Sequence, residues 1–262
     1  MSRYFIELTQ PEIKAQFDRH PLVILPCGSV EQHGAHLPTG TDIFAANSVS
    51  HAVAEKMDGV VLPGGPLGVT PMHMPFEATI SLSPETYQQV VIETCVSTAQ
   101  HGAKKLLIVN WHEGNIASLQ IAAEKLHRTY GMSVVIAQAC YVAEELWGPY
   151  CGGLTHAGEI EALSILPDHG HLVHLERVER SSEKRRGEHM DKLRRTRAFV
   201  PILTDIRSIA PTGWYGDPAP ATVERGRQMI EDVAGAIAKE ATAIFAQLDR
   251  IQGAAAKDLA AE

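Results

Sequence analysis

No apolar run in the sequence approaches the length of a membrane span, so nothing in it reads as a transmembrane helix. Basic charge is not in excess either. The 23 Lys and Arg are outnumbered by 31 Asp and Glu, and the formal net charge is −8. That balance disfavours nonspecific nucleic-acid binding and attachment to an anionic membrane surface. The N-terminal run Met1-Ser-Arg-Tyr-Phe-Ile-Glu7 lacks the apolar core of a secretion signal. Cysteine is sparse: Cys27, Cys95, Cys140 and Cys151 are scattered with no paired spacing. They read as reduced thiols, and the expected location is cytoplasmic. There is no internal repeat and no linker, so residues 1–262 are read as one domain with a frayed Ala-rich tail after Gly253.

Histidine, by contrast, is plentiful, with 13 in 262 residues, and composition alone does not account for it. The hydrophobic pattern supplies a frame for these residues. Short apolar runs at Leu22–Pro26, Gly59–Pro63, Lys105–Asn110 and Ser133–Ala137 read as strands. Helical spacing falls between them at Phe44–Met57, from Ser83-Pro84 to about Gln100, and at Asn115–Tyr130. A further helix is expected around Pro11–Phe17, a short one at Glu159–Leu166 and a long amphipathic one at Val223–Leu248. Residues 64–83, 139–155 and 206–220 read as irregular, and a loop as long as the first is usually functional. The mixed charges of Glu176–Arg197 read as a solvated surface. Alternating strands and helices predict an α/β fold, a mostly parallel sheet with helices on both faces.

Three polar clusters fall at or beside strand ends, where open parallel sheets bind ligands. Gly28-Ser-Val-Glu-Gln-His-Gly-Ala-His-Leu-Pro-Thr-Gly-Thr-Asp42 carries Glu31, His33, His36 and Asp42. Asn110-Trp-His-Glu-Gly-Asn115 follows the third strand, and Thr155-His-Ala-Gly-Glu-Ile-Glu161 leads into a helix. Carboxylates and imidazoles in this number would hold one or two divalent ions, and zinc, manganese and iron suit them alike. Asp42 is the natural bridge, because a carboxylate offers two oxygens and paired ions need a shared ligand. A bound water would become the nucleophile. His156 stands where a proton shuttle would be useful, although helix capping would also explain it.

These segments resemble the creatininase (creatinine amidohydrolase) family. Glu31 to Asp42 is similar to its signature, and Phe76-Glu-Ala-Thr-Ile-Ser-Leu82, Asn110–Asn115 and His156–Glu161 follow in the family's order. The resemblance implies a three-layer α/β/α fold, metal-dependent amide hydrolysis and a ring-shaped homo-oligomer, often a hexamer. It also implies ligand roles for Glu31, His33, Asp42 and His112. Three departures bear on the substrate. Gly114 stands where creatininase has a carboxylate; Glu161 is then the favoured fifth ligand and Glu113 its competitor. If the strand continues through His112, alternation turns Glu113 away from the ion that His112 faces. Trp111 replaces the usual Gly, and Glu77 lies in an altered Phe-Pro-Gly-Thr segment. His36, Glu77, Trp111 and Glu113 are accordingly expected at the substrate.

The activity read from these features is hydrolysis of a C–N bond in a small cyclic amide or a formamide. The alternative is a hydrolase that opens a keto-inositol or keto-sugar ring. A metal-binding assembly protein without turnover is the third reading, and a full ligand set with a candidate shuttle argues against it.

Overall fold

A computed structural model describes residues 2–65, 67–178 and 202–259, with side chains as far as Ile251. The charged stretch 176–197 lies, beyond Val178, outside the described residues.

The chain enters through α1 (Gln10–Arg19), β1 (Leu22–Cys27), α2 (Thr41–Met57) and β2 (Val60–Val61). It continues through α3 (Pro84–Gln100), β3 (Lys105–Asn110), α4 (Ile116–Tyr130) and β4 (Ser133–Gln138). Helices α5 (Ala139–Cys151), α6 (Glu159–His169) and α7 (Val223–Leu259) follow, and short 3-10 helices such as Pro71–His73 and Glu113–Asn115 lie between the elements. The four strands pair in parallel in the order β2-β1-β3-β4, with Leu22 opposite Lys105 and Lys105 opposite Ser133.

Each central strand is apolar through its middle, Leu22–Leu25 in β1 and Leu106–Val109 in β3, because both of its faces are covered. Leu22 and Ile24 of β1, with Leu107 and Val109 of β3, pack into one core against α2, α5, α6 and α7. Their neighbours Val23, Leu25, Leu106 and Ile108 pack into a second core against α1, α3 and α4. The period-2 alternation of side chains thus divides the interior into two layers around one sheet. Ser83 caps α3 by accepting the Thr86 N–H at 3.2 Å, and Thr9 with Glu12 forms a capping box that starts α1.

The structure revises several boundaries. Residues 139–151, read as irregular, form α5. Gly148 and Pro149 fall in its last turn, and Ala139, Cys140 and Ala143 anchor the helix in the core. The second strand shrinks to Val60–Val61, α6 runs on to His169, and α7 continues past Leu248 to Leu259. All four cysteines are free thiols, and Cys27, Cys95 and Cys140 are buried.

Candidate metal centre

Gly28 follows β1, and a Cβ added there would stand 2.5 Å from the backbone of Asp42 and Ile43. Glycine therefore lets the first turn of α2 close onto the strand end. The loop between them is tied by the Glu31 N–H, which donates to the Thr39 carbonyl at 2.9 Å. This closure returns Asp42 to the side of Glu31 and His33, at a helix N-terminus that favours a carboxylate. His112 arrives from the end of β3 and is still extended (φ −113°, ψ 121°); the chain turns immediately after it, at Glu113–Asn115. Glu161 comes from the first turn of α6. Ala157 adopts a left-handed φ of 56° and donates its N–H to Glu161 Oε2 at 2.5 Å.

Glu31, His33, Asp42, His112 and Glu161 converge in two triads that share Asp42. One is Glu31, Asp42 and His112; the other is His33, Asp42 and Glu161; a third group, Glu31, His33 and His156, does not include Asp42. His112 Nδ1 lies 3.3 Å from Glu31 Oε2 and 3.0 Å from Asp42 Oδ2. His33 Nε2 lies 3.4 Å from Glu161 Oε2 and 3.5 Å from Asp42 Oδ1. Two ligand atoms at about 2.0–2.1 Å from one tetrahedral ion sit about 3.3–3.4 Å apart. The observed spacings are those of ligands around a shared ion.

Protonation chemistry agrees with a metal. His33 Nδ1 faces the Glu31 carbonyl at 3.0 Å and His112 Nε2 faces the Val69 carbonyl at 3.0 Å. A carbonyl only accepts, so those nitrogens carry protons and the opposite nitrogens are the ones left to coordinate. His33 Nε2 is fully buried without a hydrogen-bond partner among the described residues. A buried, orphaned imidazole nitrogen flanked by carboxylates fits a divalent cation. Ser29 Oγ donates to Asp42 Oδ2 at 2.8 Å, and the Thr70 hydroxyl donates to Glu31 Oε2.

Electrostatics bind the cluster together. Burial alone would lower the His33 and His112 pKa values. The carboxylates around them, led by Glu161 for His33 and by Glu31 for His112, lift them instead to about 10 and about 9. Burial would raise Asp42, and the two imidazoles hold it below the usual carboxylate range. Burial dominates at Glu161 and raises it. His156 is pushed well below its ordinary value by burial, with His73 and His33 adding to the effect.

The cluster floors a cavity of about 310 Å³. Trp111, Glu113 and His156 line it, and Glu113 belongs to neither triad. Two residues expected at the substrate lie elsewhere. His36 is buried behind the wall, where Nε2 donates to the Ala157 carbonyl at 2.8 Å and its ring packs edge-on against Trp214. The αL turn at Gly34 directs it there. Glu77 sits in the turn after Pro71–His73, exposed and outside the cavity lining. Gly114 is also explained: a side chain there would collide with the Val69 carbonyl and the His112 ring, so this backbone leaves no room for a carboxylate.

Sequence reasoning missed His73, Gln32 and Thr70. His73 Nε2 and His156 Nδ1 both stand 3.7 Å from Glu31 Oε1, and their ring centroids are 4.4 Å apart. The length of loop 64–83 signalled a functional segment, but Glu77 was the residue singled out in it.

A family model described as creatinine amidohydrolase matches residues 6–241. A mycofactocin precursor peptide peptidase from Mycobacterium ulcerans is 31% identical over 235 residues, covering 84% of this chain and 85% of that protein. A 3-dehydro-scyllo-inosose hydrolase from Thermotoga maritima is 26% identical over 180 residues, covering 64% of this chain and 58% of that protein. Among solved structures, a manganese creatininase superposes with a TM-score of 0.74 at 24% identity, over 92% of this chain and 97% of that one.

Proposed function

The chain belongs to the creatininase (creatinine amidohydrolase) family, and from that premise we propose that it hydrolyses the C–N bond of a small cyclic amide or formamide at a pair of divalent ions. The observation that carries this reading is the division of Asp42 between the two triads: Oδ2 faces His112 and Oδ1 faces His33. Glu31, Asp42 and His112 would hold one ion, and His33, Asp42 and Glu161 the other. Manganese and zinc are the first choices, with iron compatible by ligand type. When bound, the ions supply an acidified water and polarise the carbonyl.

The chain's own residues do the rest. Glu31 and Asp42 are held in place by Thr70 and Ser29. His156, kept neutral by burial, accepts the proton of the attacking water and returns it to the departing nitrogen. Trp111 and Glu113 wall the cavity next to His112 and set which amide enters. A volume of about 310 Å³ suits a small ring or a short terminal group.

The similarity to an inosose hydrolase supports a second reading, in which the same water attacks a ring ketone and a C–C bond opens. Protein reconstituted with manganese or zinc, and its Asp42→Ala variant, should be assayed against cyclic amides, formamides, short peptides and keto-inositols. Metal-dependent amide cleavage that Asp42→Ala abolishes is the expected result. Turnover confined to keto-inositols would replace the first reading by the second.

A further inference from the structure

We propose that Gln32 locks His73 and His156 into opposite hydrogen-bonding roles, so that His156 presents a bare Nδ1 to the cavity and His73 presents a proton-bearing Nε2. The chemistry rests on the amide-hydrolysis reading; the geometry does not.

Two backbone groups fix which way the Gln32 amide points. Its Oε1 accepts the Gly34 N–H at 3.1 Å, and its Nε2 donates to the Gly213 carbonyl. The end that faces the imidazoles is therefore the NH2 group, with one N–H left to give. It lies 3.1 Å from His73 Nδ1 and 3.0 Å from His156 Nε2.

The second contact is decided by another group. His156 Nε2 also stands 2.8 Å from the backbone carbonyl of Gln32, which only accepts. His156 Nε2 therefore carries its proton and donates it to that carbonyl. The remaining Gln32 N–H goes to His73 Nδ1, which must be bare. In the neutral rings the consequence is fixed on the far side. His156 Nδ1 is a lone pair and His73 Nε2 is an N–H, both 3.7 Å from Glu31 Oε1 and facing the same corner of the cavity.

A proton acceptor and a proton donor side by side suit hydrolysis of an amide. As the water oxygen bonds to the carbonyl carbon, one water proton passes to His156 Nδ1. The same proton passes to the nitrogen as the C–N bond breaks, leaving a carboxylic acid and an amine. His73 Nε2–H gives a hydrogen bond to the carbonyl-derived oxygen throughout and transfers no proton. Gln32 acts as a positioning residue for both rings.

The test is long-range 1H–15N correlation on histidine-labelled, zinc-loaded protein, which reads tautomers without any turnover. In the unmodified protein both His73 and His156 should be protonated at Nε2. Gln32→Glu replaces the donor by an acceptor, and His73 should then gain a proton at Nδ1. His156 should keep its tautomer in that variant, because a backbone carbonyl holds it. A bare Nε2 on His73 in the unmodified protein, or an unchanged His73 in Gln32→Glu, would overturn the proposal. Formate, the simplest carboxylate product, probes the donor itself. With zinc content matched, His73→Leu should weaken formate binding by about tenfold, the scale of one hydrogen bond to a charged group, and His73→Gln should restore most of it. Equal formate affinity in His73→Leu and the unmodified protein would remove His73 as a donor. Absence of amide turnover alone would count against the proposed function and leave the tautomers as the measured result.

Discussion

Glu161 and Glu113 separate at the level of single side chains. Glu161 Oε2 lies 3.4 Å from His33 Nε2 inside a triad, whereas Glu113 lines the cavity outside both triads. Glu161→Gln should lower metal affinity by roughly tenfold or more, as changes at a ligand do. Glu113→Gln should keep its metal, and a change in substrate preference is where its effect belongs. Metal analysis after dialysis distinguishes the two, and the reverse pattern would transfer the ligand role to Glu113. Protons offer a second measurement. Without a metal, His33 with its pKa near 10 and His112 near 9 are both charged at neutral pH. Coordination needs neutral imidazole, so each ring must release a proton when the ion enters. Metal affinity should therefore rise with pH from neutrality up to about pH 9–10, where the rings lose those protons unaided. Calorimetry in buffers of different ionisation enthalpy should register this release on zinc binding. A binding heat independent of the buffer would contradict it.

Between elements, Asn115 is the brace. Its Nδ2 donates to the Gly28 carbonyl at 2.9 Å and its Oδ1 accepts the Val69 N–H at 2.9 Å. It thus ties the ends of β1 and β3 to loop 64–83. Asn115→Ala leaves both backbone groups buried without these partners and should cost about 2 kcal/mol or more. A denaturation midpoint unchanged from the parent protein would show that the loops hold without it. Much of this level was legible in the sequence. The apolar runs and helical spacings placed all four strands and every helix around them except α5, because a sheet covered on both faces needs near-continuous apolar strands. The Glu31–Asp42 loop stood out because its residue types are costly to group by chance. Helix α5 was hidden by Gly148 and Pro149, whose local preference is outweighed by burial of Ala139, Cys140 and Ala143. His73 and Gln32 were hidden for a different reason. Their partners are His156 and Gly213, far along the chain, and no local pattern encodes such a meeting. His36 misled because a histidine in a loop rich in potential ligands can equally turn back to bond a carbonyl.

For the whole molecule, the family resemblance points to association, and we expect a homo-oligomer in solution. Sedimentation of a monomer alone at micromolar concentration would refute that. The five clustered side chains have a larger consequence for the single chain. They come from the β1–α2 loop, from α2, from the end of β3 and from α6, so that two ions sharing Asp42 would join segments from Glu31 to Glu161. In a protein whose thiols are all free, such ions would act as a reversible cross-link of the native chain, released on unfolding, whereas a disulfide persists and restrains the unfolded chain. Folding and loading are then one equilibrium. Free metal at a hundred times its dissociation constant adds about 2.7 kcal/mol to the native state for each ion bound. For a chain of this size that is roughly 5–10 °C in melting temperature. A chelator should take that increment away, and restored zinc or manganese should return it in proportion to the logarithm of its concentration.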